Sequence, residues 1–189
     1  MGGLKPATVA FFLLPLLCWS QADSGLRARI PLGMERLQIE PNNRHIFMMA
    51  TAESPEFENW VRPSAGARVL YTRDGTLVRN FPRQLQFRVT ATTKPYDLVG
   101  VDEFRMRYEG DLNQFILGLK FRLRIFRELD ARTVEPSDVT MLGVPADTPY
   151  DERIWRVSFE IGEVPVDDKV VLEVLSPEGE RLSRFHLAF

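Results

Sequence analysis

The sequence predicts an all-β protein, an antiparallel β-sandwich with little helix. Two observations support this prediction: apolar and polar residues alternate along several segments, and residues that favour turns separate those segments. Alternation with a period of two places apolar side chains on one face of a strand and polar side chains on the other. Because each strand has one apolar face to cover, about eight such strands favour two sheets packed face to face.

The segment from Phe115 to Ile125 shows the clearest alternation. The residues at its odd positions are all apolar, whereas Lys120, Arg122 and Arg124 lie at even positions. A helix would distribute these residues around its circumference, so the pattern predicts a strand with one buried face. Similar alternation predicts strands at residues 84–90, 104–108, 155–161, 170–174 and 185–189.

Turn-forming residues support the strand predictions independently. Asp74-Gly75 lies between two β-prone runs, a combination typical of a tight β-hairpin. Ser176-Pro177-Glu178-Gly179 suits a type I turn, with Pro at its second position and Gly at its fourth. The sequence therefore predicts a C-terminal hairpin whose last apolar residue is the terminal Phe189.

The evidence for helices is limited to one segment. A helix of two turns is predicted from Ser54 to Val61, because Ser54 suits the N-cap and Pro55 suits the first helical position. Residues 127–153 are rich in Pro and Asp, and within them the run from Asp138 to Leu142 could form a short strand.

The first 22 residues have the pattern of a signal peptide. Lys5 is their only charge, an apolar run extends from Val9 to Leu17, and the small-x-small triplet Ser20-Gln21-Ala22 follows. This pattern predicts cleavage after Ala22 and export to a periplasm or to the exterior. A membrane-spanning helix needs about 20 apolar residues, so this run is too short, and no later segment is long enough.

Cys18 is the only cysteine, and the predicted cleavage removes it. A lipid anchor on Cys18 is the alternative, but the sequence favours cleavage because the bulky Leu17 precedes the cysteine where a small residue is typical. The mature chain is therefore expected to contain no disulfide.

Residues 23–189 are predicted to form one β-sandwich domain. Residues 83–189 could make an immunoglobulin-like core, since such a domain takes about 100 residues and seven strands, although the paired cysteines are absent. Residues 29–80 would then be an N-terminal β extension, either as strands added to the sandwich or as a small separate module. A mixed barrel is the competing architecture.

No pattern of residues typical of a catalytic centre is found. The two histidines, His45 and His186, have no partner motif, and His186 alternates with apolar residues so that it should face solvent. Two histidines and no mature cysteine are too few for a zinc site. The net charge of −2 argues against binding to nucleic acid.

Clustered aspartates suggest calcium as the one candidate cofactor. Carboxylate oxygens are hard ligands that suit this ion, and the two loops concerned could lie at the same end of a sandwich. The ligand spacing of a recognised calcium loop is absent, so charged, solvated turns are the competing interpretation. The candidate ligands are Asp147, Asp151, Asp167 and Asp168.

Basic residues opposite the predicted core form a candidate binding surface. On two predicted strands they could make a cationic ribbon that holds an anionic glycan, a lipid headgroup or an acidic partner through charge-assisted hydrogen bonds. A solvated face with cross-strand ion pairs is the alternative. The ribbon residues are Arg105, Arg107, Lys120, Arg122 and Arg124.

Aromatic residues in predicted loops and turns form a second candidate surface. Exposed rings there could stack on sugars or anchor a protein partner, although most rings in β-proteins are buried. The residues concerned are Trp60, Tyr71, Tyr96 and Tyr150.

Together these features predict an exported, non-catalytic β-domain that acts as an interaction module of the cell envelope or the extracellular space. A carbohydrate-binding or polyanion-binding module is the first alternative. A carboxylate-dependent hydrolase, with two acids facing each other across a cleft, is the second.

Overall fold

A computed structural model describes residues 30–39, 44–63, 68–94, 115–143 and 151–189 of the chain. Most of these residues lie in antiparallel strands, so the predicted all-β class is confirmed. The helical residues described are a 3₁₀ helix at Pro55–Asn59 and a turn at residues 115–117. The predicted signal peptide lies outside the described residues.

The described residues form twelve strands in three sheets. The five-stranded sheet has the order β1-β2-β6-β10-β9, the four-stranded sheet has the order β12-β11-β7-β8, and β3-β4-β5 form a small sheet. The strands are β1 (Ile30–Ile39), β2 (Arg44–Ala52), β3 (Trp60–Val61), β4 (Leu70–Thr72), β5 (Leu77–Val78), β6 (Gln84–Lys94), β7 (Lys120–Arg127), β8 (Asp130–Val134), β9 (Asp138–Leu142), β10 (Asp151–Glu160), β11 (Lys169–Leu175) and β12 (Arg181–Leu187).

One apolar core joins the five-stranded and four-stranded sheets. Phe87 on β6 and Leu123 on β7 are fully buried and belong to the same cluster. The rings of Phe121 and Trp155, one from each sheet, lie 5.7 Å apart between their centroids. Two sheets that share a core in this way form a sandwich, although this sheet order does not confirm an immunoglobulin-like topology.

The N-terminal strands are distributed over two sheets. β2 pairs with β6 from His45 to Ala52, and β1 pairs with β2, so both strands extend the five-stranded sheet. β3, β4 and β5 form the small sheet beside the sandwich. Whether residues 83–189 would fold without these strands stays a prediction.

The structure confirms the alternation of β7 but shortens the strand. Phe121, Leu123 and Ile125 are buried, as predicted. The strand begins at Lys120 because residues 115–117 form a helical turn, closed by the Leu119 amide donating to the Ile116 carbonyl. Successive side chains in a helix rotate by about 100°, so neighbours no longer alternate between two faces.

As a result, the burial of two residues in that turn is the reverse of what the alternation predicts. Leu117, predicted to be buried, is 50% exposed, whereas Ile116 is 1% exposed and belongs to the core. The prediction of a strand that starts at Phe115 is therefore wrong for its first residues.

Both predicted turns are confirmed. The Gly75 amide donates to the Thr72 carbonyl at 2.9 Å, and the Gly179 amide donates to the Ser176 carbonyl at 3.0 Å. Gly75 and Gly179 have φ angles of 86° and 95°, a region that favours glycine.

The predicted helix at Ser54 is a shorter 3₁₀ helix. The Ser54 hydroxyl does not cap it; instead it accepts a hydrogen bond from the Gln86 amide and donates one to the Gln84 carbonyl. The serine therefore ties the helix to β6. The strand suggested at Asp138–Leu142 is present as β9.

Candidate functional site

The outer surface of the four-stranded sheet carries six cations. Alternation places one set of apolar residues of β7, β11 and β12 in the core, so their basic residues face away from it, on the same side as the buried Val171 and Leu175 of β11. We call this surface the cationic face. It consists of Lys120, Arg122 and Arg124 on β7, Lys169 on β11, and Arg181 and Arg184 on β12.

Glu173 is the only acidic residue within these three strands. It lies on the central strand β11, directly opposite Arg122 on one side and Arg184 on the other. Its side chain is only 2% exposed, although it faces away from the core of the sandwich. A carboxylate this far removed from water requires a cationic partner.

Arg122 is that partner. Its Nε donates to Glu173 Oε2 at 2.6 Å, and Arg181 Nη1 lies 3.7 Å from the other carboxylate oxygen. Sequence alternation places Arg122 with the other basic residues, but the structure gives it this distinct role. Arg122 compensates a buried charge, so it is less available to an external ligand than the other cations of the face.

Arg124 occupies a different environment two residues further along β7. Its guanidinium carbon lies 4.9 Å from the centre of the Phe126 ring, and Lys169 Nζ lies 5.9 Å from the same ring. The Arg124 Nε is buried and has no hydrogen-bond partner in the described part of the chain. The guanidinium group is planar, and an aromatic ring beneath it limits its orientation. This arrangement suits paired hydrogen bonds to a carboxylate, sulfate or phosphate group.

The remaining predicted ribbon residues divide into two groups. Lys120 is exposed at the start of β7, opposite Leu175 on β11. Arg105 and Arg107 lie outside the described residues. The sequence prediction did not include Lys169, Arg181 and Arg184, because they belong to strands whose position beside β7 is set by long-range pairing.

His186 borders the cationic face on β12 and is exposed, as its alternation predicts. Partial burial, followed by the nearby positive charges of Lys169 and Arg184, lowers the pKa of its imidazole below 6.5, and Glu35 opposes this shift. Lys169 and Arg184 of the cationic face thus lower the pKa of the neighbouring His186, as expected where positive charges are concentrated.

A cleft of about 210 Å³ lies beside the four-stranded sheet, near the β7–β8 turn. Its walls combine two apolar residues with two arginines and three acids, and most of the charged groups are paired. The lining residues are Ile125, Arg127, Asp130, Arg132, Glu163, Val164 and Asp168.

The pairing of the acids bears on the hydrolase hypothesis. Arg127 Nε donates to Asp168 Oδ2 at 3.0 Å, and Arg83 Nη2 lies 3.1 Å from Glu163 Oε1. Arg132 donates to the Ile161 carbonyl at 2.6 Å, which ties β8 to the end of β10. Two of the three acids therefore form ion pairs, and the cleft does not present an isolated pair of carboxylates.

Two parts of the candidate calcium set lie at opposite ends of β10. Asp151 begins β10, whereas Asp167 and Asp168 follow the end of that strand, and ten strand residues span about 30 Å. Asp168 forms an ion pair with Arg127. Asp147 and the side chain of Asp151 lie outside the described residues, and the described residues contain no cluster of three potential ligands.

No protein-family model matches the chain, and neither a curated protein nor a solved structure matches it. Within the described ranges, no helix has the length and apolar character that crossing a membrane requires.

Proposed function

We propose that this chain is an exported, non-catalytic interaction module that binds an acidic polysaccharide through the cationic face. The observation that carries the proposal is the charge of that face: six lysines and arginines surround one carboxylate, which is already paired with Arg122. The formal charge of the whole chain is −2, so this surface differs in sign from the molecule as a whole. A local excess of positive charge attracts anions.

The arrangement of the cations favours a polymer over a small anion. Alternate residues of a strand are about 6.8 Å apart, and neighbouring strands are about 4.8 Å apart, so the cations repeat in two directions. A polysaccharide with an acid group on each repeating unit can contact several of them together. Each contact is a charge-assisted hydrogen bond, which is stronger than its neutral equivalent.

Arg124 is the residue expected to orient the ligand. Its guanidinium lies over the Phe126 ring, which Lys169 also approaches, and Arg122 is engaged with Glu173. Arg124 can therefore offer planar, paired donors, whereas Lys120, Lys169 and Arg184 supply charge around it. Arg124→Lys should retain part of the affinity because lysine keeps the positive charge. It should lose the rest because lysine lacks the planar fork of donors.

Retention on immobilised heparin, an acidic polysaccharide, tests the proposal. The double variant Lys169→Gln/Arg184→Gln removes two exposed charges from the cationic face and should elute at a clearly lower salt concentration than the wild-type chain. The matched control is Arg88→Gln/Arg156→Gln, which removes two charges from directly opposed positions on the five-stranded sheet. This control should elute close to the wild type.

Two outcomes would contradict the proposed binding. Equal loss of retention in both double variants would show that net charge alone governs binding. Retention that neither variant changes would place the polysaccharide elsewhere on the chain.

Export rests on the pattern of residues 1–22. Mass spectrometry of the chain from its native source should find a mature N-terminus immediately after Ala22. A chain that retains Met1 would contradict this part of the proposal.

A further inference from the structure

The small sheet has an exposed face that is apolar. In its register Tyr71 on β4 pairs with Val61 on β3 and with Leu77 on β5, so the three side chains form a row across the strands. These residues are 45%, 36% and 39% exposed in the order Val61, Tyr71, Leu77, and Val69 beside them is 40% exposed. We call these four residues the apolar patch.

The opposite face of the same sheet accounts for its stability. Leu70 and Val78 are buried there, and the Trp60 ring lies 5.0 Å from Phe57 and 5.1 Å from Phe189 between centroids. A strand with one buried face normally has a polar outer face. The apolar patch is therefore not required by the packing of the fold, and exposed apolar clusters of this kind often mark interaction sites.

Four exposed arginines accompany the apolar patch. Each is one or two residues from a member of the patch along the chain, so positive charge is concentrated in the segments that carry the apolar row. Two acids, Glu58 and Asp74, each lie three residues from a member of the patch along the chain, and Asp74 accepts hydrogen bonds from the Thr72 hydroxyl and the Thr76 amide within the β4–β5 turn. The arginines are Arg62, Arg68, Arg73 and Arg79.

We propose that the apolar patch and its arginines bind the surface of an anionic lipid bilayer. The apolar side chains would enter the boundary between headgroups and acyl chains, with Tyr71 at the centre of the row, a residue type enriched at this depth. The arginines would contact the headgroup phosphates by charge-assisted hydrogen bonds.

Two other occupants fit the patch less well. A specific protein interface covers about 800 Å² on each partner, more than four partly exposed side chains provide. A second copy of this chain, related by a twofold axis, would place the same arginines against each other. The anionic bilayer matches both the small apolar area and the positive surroundings. This inference involves none of the residues of the cationic face.

Vesicle co-sedimentation of the full chain tests the inference. The wild type should bind vesicles that contain phosphatidylglycerol and bind vesicles of pure phosphatidylcholine weakly. Leu77→Ser should lower the partition coefficient about tenfold by removing apolar area. Arg73→Gln and Arg79→Gln should each lower it about fivefold, the effect of one basic residue near an anionic surface.

Controls separate this surface from the rest of the molecule. Met141→Ser removes a side chain of similar exposure, 49%, from β9 and should leave binding unchanged. Val69→Ser should lower binding like Leu77→Ser, and because Val69 precedes β4 it disturbs no strand pairing. Lys169→Gln/Arg184→Gln should leave vesicle binding intact.

Three results would overturn the inference. The first is no binding of the wild type to the anionic vesicles, and the second is equal loss in Leu77→Ser and Met141→Ser. The third is self-association in sedimentation equilibrium that Leu77→Ser abolishes, since this would assign the apolar patch to contacts between copies of the chain.

Discussion

Arg122 Nε lies 2.6 Å from Oε2 of Glu173, a carboxylate that is 2% exposed on the outer side of the four-stranded sheet. The ion pair joins the central strand β11 to β7 across the sheet. One cation of the cationic face, Arg122, therefore has a structural role, because it compensates the buried charge of Glu173.

Arg122→Gln should destabilise the fold by about 2–3 kcal/mol, because it leaves the Glu173 charge buried with a weaker partner. This is below the cost of breaking a fully buried pair, since Arg122 is 32% exposed and Arg181 remains 3.7 Å away. Lys120→Gln, on the same face and exposed, should change the free energy of unfolding by less than about 0.5 kcal/mol.

Urea denaturation measures both changes. The double variant Arg122→Gln/Glu173→Gln should recover much of the lost stability, because it removes the buried charge together with its partner. Equal effects of Arg122→Gln and Lys120→Gln would show that the ion pair contributes little.

The cationic face shows what the sequence could and could not predict. Alternation alone placed Lys120, Arg122 and Arg124 outside the core. The difference between Arg122 and Arg124 depends on Glu173, which is 51 residues from Arg122. Which residues meet across two strands depends on their register, and a period of two does not determine it.

The start of β7 shows a second limit of prediction from alternation. Odd-numbered apolar residues continue from β7 back through Leu117, so the pattern predicts one long strand. The helical turn at residues 115–117 interrupts it without a proline, and Gly118, which follows the turn, is the residue that could have indicated the break. The apolar patch shows the same dependence on register. The sequence predicts Tyr71 as a candidate exposed ring, but its neighbours across the small sheet depend on how the hairpin strands pair.

Phe121→Ala should cost about 3–5 kcal/mol of unfolding free energy, the usual effect of truncating a large core side chain. Phe121 is 3% exposed and contacts Trp155 of the opposite sheet. Leu117→Ala should cost less than about 1 kcal/mol because its side chain is half exposed. Guanidinium denaturation compares the two variants, and a larger effect at Leu117 would contradict the shortened strand.

Deletion of Phe189 should cost about 1–3 kcal/mol, because the last residue of the chain completes an aromatic cluster. Its ring lies 5.3 Å from Phe57, 5.1 Å from Trp60 and 5.8 Å from Phe81 between centroids. The midpoint of thermal unfolding should fall accordingly. Phe189→Leu, which keeps an apolar side chain, is the control and should retain most of the stability. A deletion that leaves the midpoint unchanged would show that the aromatic cluster contributes little to the stability of the fold.

His186 should make stability depend on pH below its ordinary titration range. Its pKa in the folded chain is lowered, first by partial burial and then by Lys169 and Arg184, so the unfolded chain binds the proton more tightly. The contribution of His186 is therefore fully present above the unfolded pKa of 6.5 and is lost as the pH falls through the lower, folded pKa.

His186→Gln should reduce the loss of unfolding free energy between about pH 7 and pH 5, measured by urea denaturation at each pH. Lys169→Gln should act in the same direction, because it removes one of the charges that lower this pKa. If both variants lost stability with pH as steeply as the wild type, the cations around His186 would not influence its protonation.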